Sequence, residues 1–347
     1  MNIAEVARRA GVSRSTVSYV LSGNRPVSAE TRARVQRVID ELDYRPNATA
    51  RALANGRTSS LGLVFPPAGS GHYTDMQLDF LGSVAEAAAA REHDVLLSAS
   101  GDGDRALRRL IEERRVDGVI LMEIRLRDER VERLLAAGFP FVTIGRVAEP
   151  DRTRWVDLDH AELAASCVRH LAALGHREIA LVNRPEGFVR AGYESARRGL
   201  DGFAAAVEEL GLIGTAYHCE DDAAGGEAVI GRMLAERPAT TALVTVNEAA
   251  LGGLYRGLAR AGRAVPRDFS LTGICASRWA EAVTPRLTAA DVPAHREGQL
   301  AVELLLELLE DPTAAPRHVL LEPAVSLRAS TAAAPRDVNA HSTDPAR

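Results

Sequence analysis

The sequence contains no lysine, so all 42 of its basic residues are arginine, a compositional bias rather than a mechanism. Cysteine is nearly as scarce. Cys167, Cys219 and Cys275 are odd in number, far apart and in no metal-ligand spacing, which argues against a disulfide or zinc framework and suits a reducing compartment. No run of about 18 apolar residues occurs, and the opening MNIAEVARRAG brings charge before any apolar segment. Neither a membrane span nor a secretory signal is expected, and the chain reads as cytoplasmic. What it does have is 347 residues, 46% of them hydrophobic, enough to bury full cores in two or three domains.

Charge is unevenly placed. Residues 1–57 hold ten arginines against five acids, a net of +5, while the whole chain is −5, leaving −10 for the remainder. A basic head on an acidic body points the head at a polyanion, because neutralising phosphates releases counterions, and keeps the body off it.

Within the head, Ile3, Val6, Ala7 and Ala10 form one helical stripe, with Asn2 placed to cap it and Glu5 three residues on. Gly11 suits the left-handed conformation that ends a helix. Ser13 can cap a second helix whose apolar positions Val17, Val20 and Leu21 share a face. Two short helices joined by about three residues make a helix-turn-helix. Ser28 can cap a third, striped by Val35, Val38, Ile39 and Leu42. With the second helix's apolar residues inward, Arg14, Ser15, Ser18, Tyr19 and Ser22 project outward, where a recognition helix meets base edges in the major groove. Ser13, Thr16 and Ser18 are the right size to bond phosphates at the positive end of the helix dipole. Residues 46–56 hold helix formers between a proline and a glycine but span only about two turns, so this segment should fold only when held.

The stretches IAEVARRAGVSRSTVSYVLSG and VSAETRARVQRVIDELDYRPNATARALANGRTSSLGLVFP resemble the head of the lactose/galactose repressor (LacI/GalR) family of transcription regulators. The resemblance implies that Arg14, Ser15 and Tyr19 read operator bases and that Thr31 and Asn47 meet phosphates. It further implies that 46–56 is a hinge helix that forms on the operator and pairs with its twin in a dimer. Ala50 would then face DNA, and Leu53 would enter the minor groove, partly unstacking a base step.

From Leu61 the texture changes to short apolar runs at 61–66, 94–100, 117–123, 140–146, 178–184, 241–247 and 269–277. Helical stretches at 79–92, 104–115, 160–174, 199–211 and 248–262 alternate with them. Such alternation predicts parallel sheets covered by helices, long enough for two lobes, with ligands bound beyond the carboxyl ends of the strands. The stretches DGVIL, ALGHREIALV and VNEAALGGLYRGLARAGRAVPRDFSLTGI resemble the periplasmic-binding-protein-like effector domain of the same family. The expected fold class is thus an all-α helix-turn-helix head plus a two-lobed α/β effector domain. Its boundaries are a head over 1–45, hinge helix and linker over 46–60, effector and dimerisation domain over 61–331 and a disordered tail over 332–347. Chain crossings near 159, 287 and 322 assign 61–158 and 289–320 to one lobe, 159–288 and 321–331 to the other.

The resemblance places Tyr73, Asp75, Arg146, Asp159, Asn247 and Glu248 in the cleft between lobes. Where the family commonly presents an arginine this chain has Gly199, with Arg197 and Arg198 close enough to substitute, and where it presents an aspartate stand Cys275 and Ala276. An atypical or apolar effector, or none, is therefore expected in preference to a standard sugar. Asp157, Asp159 and His160 lie together and His170 and His176 follow, but not at a useful metal or acid–base spacing. With no nucleophile elbow, phosphate loop or dinucleotide glycine pattern, neither catalysis nor a cofactor is expected. The sequence thus reads as a dimeric, one-component repressor of a pseudo-palindromic operator. A constitutive DNA-binding protein with a vestigial cleft is the alternative.

Overall fold

The computed structural model describes residues 2–22, 25–44, 56–65, 73–99, 105–322 and 324–335. Three helices, α1 (Ile3–Ala10), α2 (Arg14–Ser22) and α3 (Ala29–Glu41), close one small core around Val6, Ala7, Val17, Val20, Val35 and Ile39. Asn2 Oδ1 caps α1 by accepting the N–H groups of Ala4 and Glu5, both at 3.1 Å. Glu5 does not complete a capping box. Its carboxylate turns along the exposed face to Arg8 and Arg9. Gly11, at φ +63°, ends α1 in the left-handed region, which lets the chain reverse within three residues. Ser13 Oγ accepts from Thr16 N at 3.1 Å and Ser28 Oγ from Thr31 N at 3.3 Å, starting the next two helices.

Among the described residues of the body, twelve strands form two six-stranded sheets. The first holds β1 (Ser60–Phe65), β2 (Asp94–Ala99), β3 (Gly118–Leu121), β4 (Phe141–Ile144), β5 (Trp155–Leu158) and β11 (His318–Leu321), in the order β11-β5-β4-β3-β1-β2, all parallel. The second holds β6 (Glu178–Asn183), β7 (Ile213–His218), β8 (Ala242–Thr245), β9 (Ser270–Cys275), β10 (Thr288–Asp291) and β12 (Val325–Ser326), in the order β12-β10-β9-β8-β6-β7, with only β12 antiparallel. Helices on the sheet faces explain why central strands such as β3, β4 and β8 are buried at every position and read as unbroken apolar runs.

The chain passes between lobes after Leu158, after Asp291 and after Leu321. The second crossing lies later than the expected 287, because Thr288–Asp291 pairs with β9 in the second sheet. That strand, TAAD, has no branched apolar run to reveal it. β5 carries an aspartate in its middle and β7 lies half exposed at a sheet edge, so neither shows the usual signal. The expected disordered tail also starts too early. Ala332 N donates to Ser270 Oγ at 3.0 Å and Ala334 N to Leu174 O at 2.8 Å, while 336–347 lie outside the described residues.

The helices on the second lobe sit very close together. A Cβ on Gly202 in α9 (Glu194–Glu209) would overlap the carbonyl oxygen of Ala161 in α7 (His160–Ala173). Gly202→Ala is expected to cost roughly 1–3 kcal/mol, because a backbone carbonyl cannot move aside as a side chain can. Thermal or urea unfolding of the full chain checks this, and an unchanged midpoint would show that the helix pair has slack.

Candidate functional site

On α2, Val17 and Val20 are buried in the head core, and that fixes which residues face out. Ser13, Arg14 and Ser15 are exposed, Thr16, Ser18 and Tyr19 half-buried. Ser13 Oγ lies 2.7 Å from Ser15 Oγ and 2.8 Å from Thr16 Oγ1, so three hydroxyls gather at the amino end of the helix, where a phosphate oxygen is favoured. Tyr19 is not a free projection. The Arg25 guanidinium sits 5.2 Å above its ring, making the pair one cationic platform. Thr31 Oγ1 accepts from Ser28 Oγ at 2.9 Å at the start of α3. Asn47, Ala50 and Leu53, with the hinge segment 46–55, lie outside the described residues.

In the body, a cavity of about 150 Å³ lies between the two lobes. Its charged walls follow the carboxyl ends of parallel strands: Glu123 after β3, Arg184 after β6, Asp221 after β7 and Glu248 after β8. Arg184 joins the lobes. Its Nη1 donates to both Glu123 oxygens, at 3.1 and 3.2 Å, its Nη2 to Asp221 at 2.9 Å, and its plane lies 4.0 Å from the Phe188 ring centre. Gln77 Nε2 donates to Glu123 at 2.9 Å, and Met76 N donates to Glu248 Oε1 at 3.0 Å across the cleft. Backbone bonds from Leu126 N to Gly192 O and from Glu194 N to Ile124 O, at 2.8 and 2.9 Å, tie the lobes along one side.

A second charged cluster lies at the crossing point. Arg146 Nε donates to Asp157 at 2.7 Å, and Arg198 Nε lies 3.3 Å from Glu194. His160 Nε2 is 3.9 Å from Asp157 and 3.8 Å from Glu194. One ligand atom each from Asp157, His160 and Glu194 falls within 4.8 Å of the others, a convergence that linear spacing did not show. Gly145, at φ +101°, makes room for Glu194, since a Cβ there would come within 2.9 Å of its Oε1.

Desolvation governs this cluster. Burial pushes Asp157 up to about 6 against the pull of Arg146, and pushes Glu194 well above the usual carboxylate range, with Asp157 adding to the effect. Burial and the two arginines hold His160 down to about 4, so its ring is neutral. Burial also raises Glu248 and Glu297 to about 8 each.

Of the cleft residues expected from sequence, Asn247 and Glu248 line the cavity. Asn247 shapes its wall: Oδ1 accepts from Ala250 N at 3.3 Å and Nδ2 donates to Cys219 O at 3.1 Å. Arg146 and Arg198 stand one layer behind, each holding an acid. Asp159 caps α7 by accepting from Glu162 N at 3.2 Å. Tyr73 packs edge-on against Phe65 at 5.3 Å, and Asp75 offers its carbonyl to Arg278 at 3.3 Å. Arg197 pairs with Asp201 at 3.2 Å. Cys275 is buried, and desolvation pushes its thiol up to about 12. Among the described residues the wall combines six carboxylates with apolar side chains such as Phe80, Met122, Ile144 and Ile274, so the expected alternatives of an atypical and an apolar effector both stand. Of the residues that sequence reasoning missed, Glu123 and Arg184 share a signal, since each stands just past a buried parallel strand; Asp221 follows the half-exposed β7 and lacks it.

A compact helical head with an exposed polar reading face, joined to a two-lobed body closed over a polar cleft, defines a DNA-binding regulator of the ligand-controlled type. Residues 2–47 match the family of bacterial regulatory proteins of the lacI type, and 168–331 match the periplasmic binding protein-like domain. The chain is 30% identical over 338 residues to catabolite control protein A of Priestia megaterium, covering 95% of this chain and 99% of that protein. It is similar to the lac repressor dimer bound to operator and the anti-inducer ONPF, with a TM-score of 0.82 and 25% identity over 96% of this chain and 99% of that one. The transcriptional regulator CelR in complex with cellobiose gives 0.68 and 27% over 95% and 99%. The chain belongs to the LacI family of DNA-binding transcriptional regulators.

Burial of Glu297 carries a pH consequence. Its folded pKa, about 8, lies above the ordinary 4.5, so the native state keeps a proton that the unfolded chain has lost. Its contribution is fully present below about pH 4.5 and disappears as pH rises toward 8, by at most about 1.4 kcal/mol per pH unit. Thermal midpoints of the ligand-free protein should therefore fall from pH 6 to 8, and fall less in Glu297→Gln. Parallel profiles for the two proteins would place the titrating group elsewhere.

Proposed function

We propose that the protein is a cytoplasmic, dimeric repressor whose two heads take the half-sites of a pseudo-palindromic operator, and whose cleft ligand decides whether the heads stay there. One observation carries it: Arg14 and Ser15 are exposed at the amino end of α2 while Val17 and Val20 anchor the opposite face. That is the geometry by which a recognition helix reaches base edges. In this reading Arg14, Ser15 and Tyr19 read bases, and Ser13, Thr16, Ser18, Thr31 and Asn47 hold phosphates. Ala50 and Leu53 work from a hinge that folds on the minor groove. The head spans 1–45, the hinge and linker 46–60, and the effector and dimerisation domain begins at 61. Leu78 and Leu97, on a helix and an edge strand of the first lobe, are exposed large apolar side chains that a second copy would cover in this reading. The lac repressor relative is described as a dimer on its operator, which supports the same arrangement here.

The control follows from linkage. Operator and effector each favour one state of a two-state dimer, so each changes the other's affinity by the same factor. Selection of preferred sites from a random duplex pool, followed by titration of the winning site with metabolites, tests the reading. A palindrome of about 14 to 20 base pairs whose affinity one compound changes is the expected result. No enriched sequence would remove the DNA-reading role.

Two substitutions separate the parts of the head. Arg14→Ala should relax preference at one base of each half-site, about 1–3 kcal/mol in discrimination, whereas a uniform loss over all sequences would reassign it to phosphate. Leu53→Ala should weaken specific binding far more than non-specific binding; equal losses in a gel-shift comparison would remove its minor-groove role.

A further inference from the structure

We propose that the cleft takes a small organic cation, a ligand carrying a protonated amine flanked by hydroxyl or further N–H donors. The proposal rests on the reading of this chain as an effector-controlled regulator, and it supplies the chemistry of that effector.

Among the described residues, three carboxylate oxygens of the cavity lining are buried with neither a hydrogen bond nor an arginine beside them: Oδ1 of Asp221, Oε2 of Glu248 and Oε1 of Glu297; Oε2 of Glu194 has only Arg198 Nε, at 3.3 Å. The three come from separate segments, with Glu297 on α13 (Ala294–Glu310), so no single misplaced segment accounts for them. Glu194 and Glu297 are only 4% and 2% exposed, which leaves water little access. Buried polar atoms in folded proteins are nearly always paired, and three orphans around one cavity mark what its occupant must supply.

The charge balance says which donor fits. Among the described residues six carboxylates line the cavity, Glu123, Asp157, Glu194, Asp221, Glu248 and Glu297, against Arg184 as the one lining arginine. Arg184 is spent on Glu123 and Asp221, Arg146 on Asp157, and Arg198 stands beside Glu194. Among the described residues no arginine pairs with Glu248 or Glu297. An anion would meet this wall with like charge, and an apolar ligand would leave every orphan unmet. A neutral polyol brings donors but also acceptors, and it leaves the buried acids to keep their protons. An ammonium brings three donors, no acceptor and a positive charge that can take the place of the protons the buried acids hold.

The empty cleft avoids bare charge by holding protons. Glu248, faced by Arg184, Asp75, Asp79 and the Met76 N–H, sits at about 8, as does Glu297, faced by Asp157. Glu194, faced by Asp157, His160, Arg198, Arg146 and Glu123, is raised well above the usual range. An arriving ammonium displaces these protons to solvent, while a neutral ligand leaves them in place. Binding of the right ligand at pH 7 is thus accompanied by net proton release.

Calorimetry of the full chain at pH 7, in two buffers of different ionisation enthalpy, tests this with matched probes: D-glucosamine against D-glucose, and putrescine against 1,4-butanediol. At least one amine is expected to bind tenfold or more tighter than its neutral partner and to release protons. The glucosamine arm would assign the amine to an amino sugar, the putrescine arm to an alkylamine. Glu248→Gln and Glu297→Gln should each weaken that amine at least tenfold and reduce the proton release. Glucose or butanediol binding as tightly as its amine, no binding by either amine, or binding of magnesium or zinc alone would each overturn the proposal. Site selection on duplex DNA with the same preparation keeps the two readings apart. Specific DNA binding without an amine response sinks the cation alone, and no enriched sequence sinks the regulator.

Discussion

The contact on which the closed cleft depends is the guanidinium of Arg184, gripped by Glu123 of one lobe and Asp221 of its own. All three side chains are largely shielded from water, where leaving a charge unpaired costs on the order of 3–5 kcal/mol. Opening the lobes parts Arg184 from Glu123, and only hydration of both offsets that loss. Phe188 beneath the guanidinium and Gln77 against Glu123 fix both partners before they meet, so the bridge forms in one geometry. A regulator of the hinged type needs an element with two discrete states, and a buried bidentate ion pair supplies one because it is either made or hydrated.

The remaining carboxylates set what that switch responds to. Protonation makes the buried acids tolerable in the absence of ligand, and it also makes them convertible, since a bound cation can take the proton's place. A ligand that touches Glu248 and Glu297 spans both lobes, because Glu248 follows a strand of the second sheet and Glu297 lies on the helix packed over the first. Its binding energy is therefore differential between closed and open states, the condition for shifting an equilibrium rather than merely occupying it.

Much of the head was legible because its signals are local. Asn2, Gly11, Ser13 and Ser28 each act within three residues of where they stand, and a stripe of valines shows which face is inward. The body was legible as alternating strands and helices, but its weakest elements were not. The strand TAAD at 288–291 is held by its neighbours rather than by its own residues, and its omission moved one crossing. The cleft residues were hardest, since Asp157, His160, Glu194 and Glu297 come together only through the return of the chain between lobes. Glu123 and Arg184 could have been found, because a charged residue just beyond a buried parallel strand has nowhere to go but the ligand crevice, whereas Asp221 follows the half-exposed β7, which has no such signal.

The division of charge between head and body completes the picture. A head of net +5 is drawn to DNA of any sequence, and in the proposed reading Arg14 with Ser15 then adds discrimination. The acidic body contributes nothing to that attraction and limits it, so in the proposed dimer affinity depends on how well two heads fit two half-sites at once. Whatever changes the spacing of the lobes then acts on the weakest part of the complex, the simultaneous fit, rather than on either head alone. A change of a few kcal/mol in the closed cleft is thereby enough to decide occupancy, because tethered binding of the second head converts a small geometric misfit into loss of its entire effective concentration.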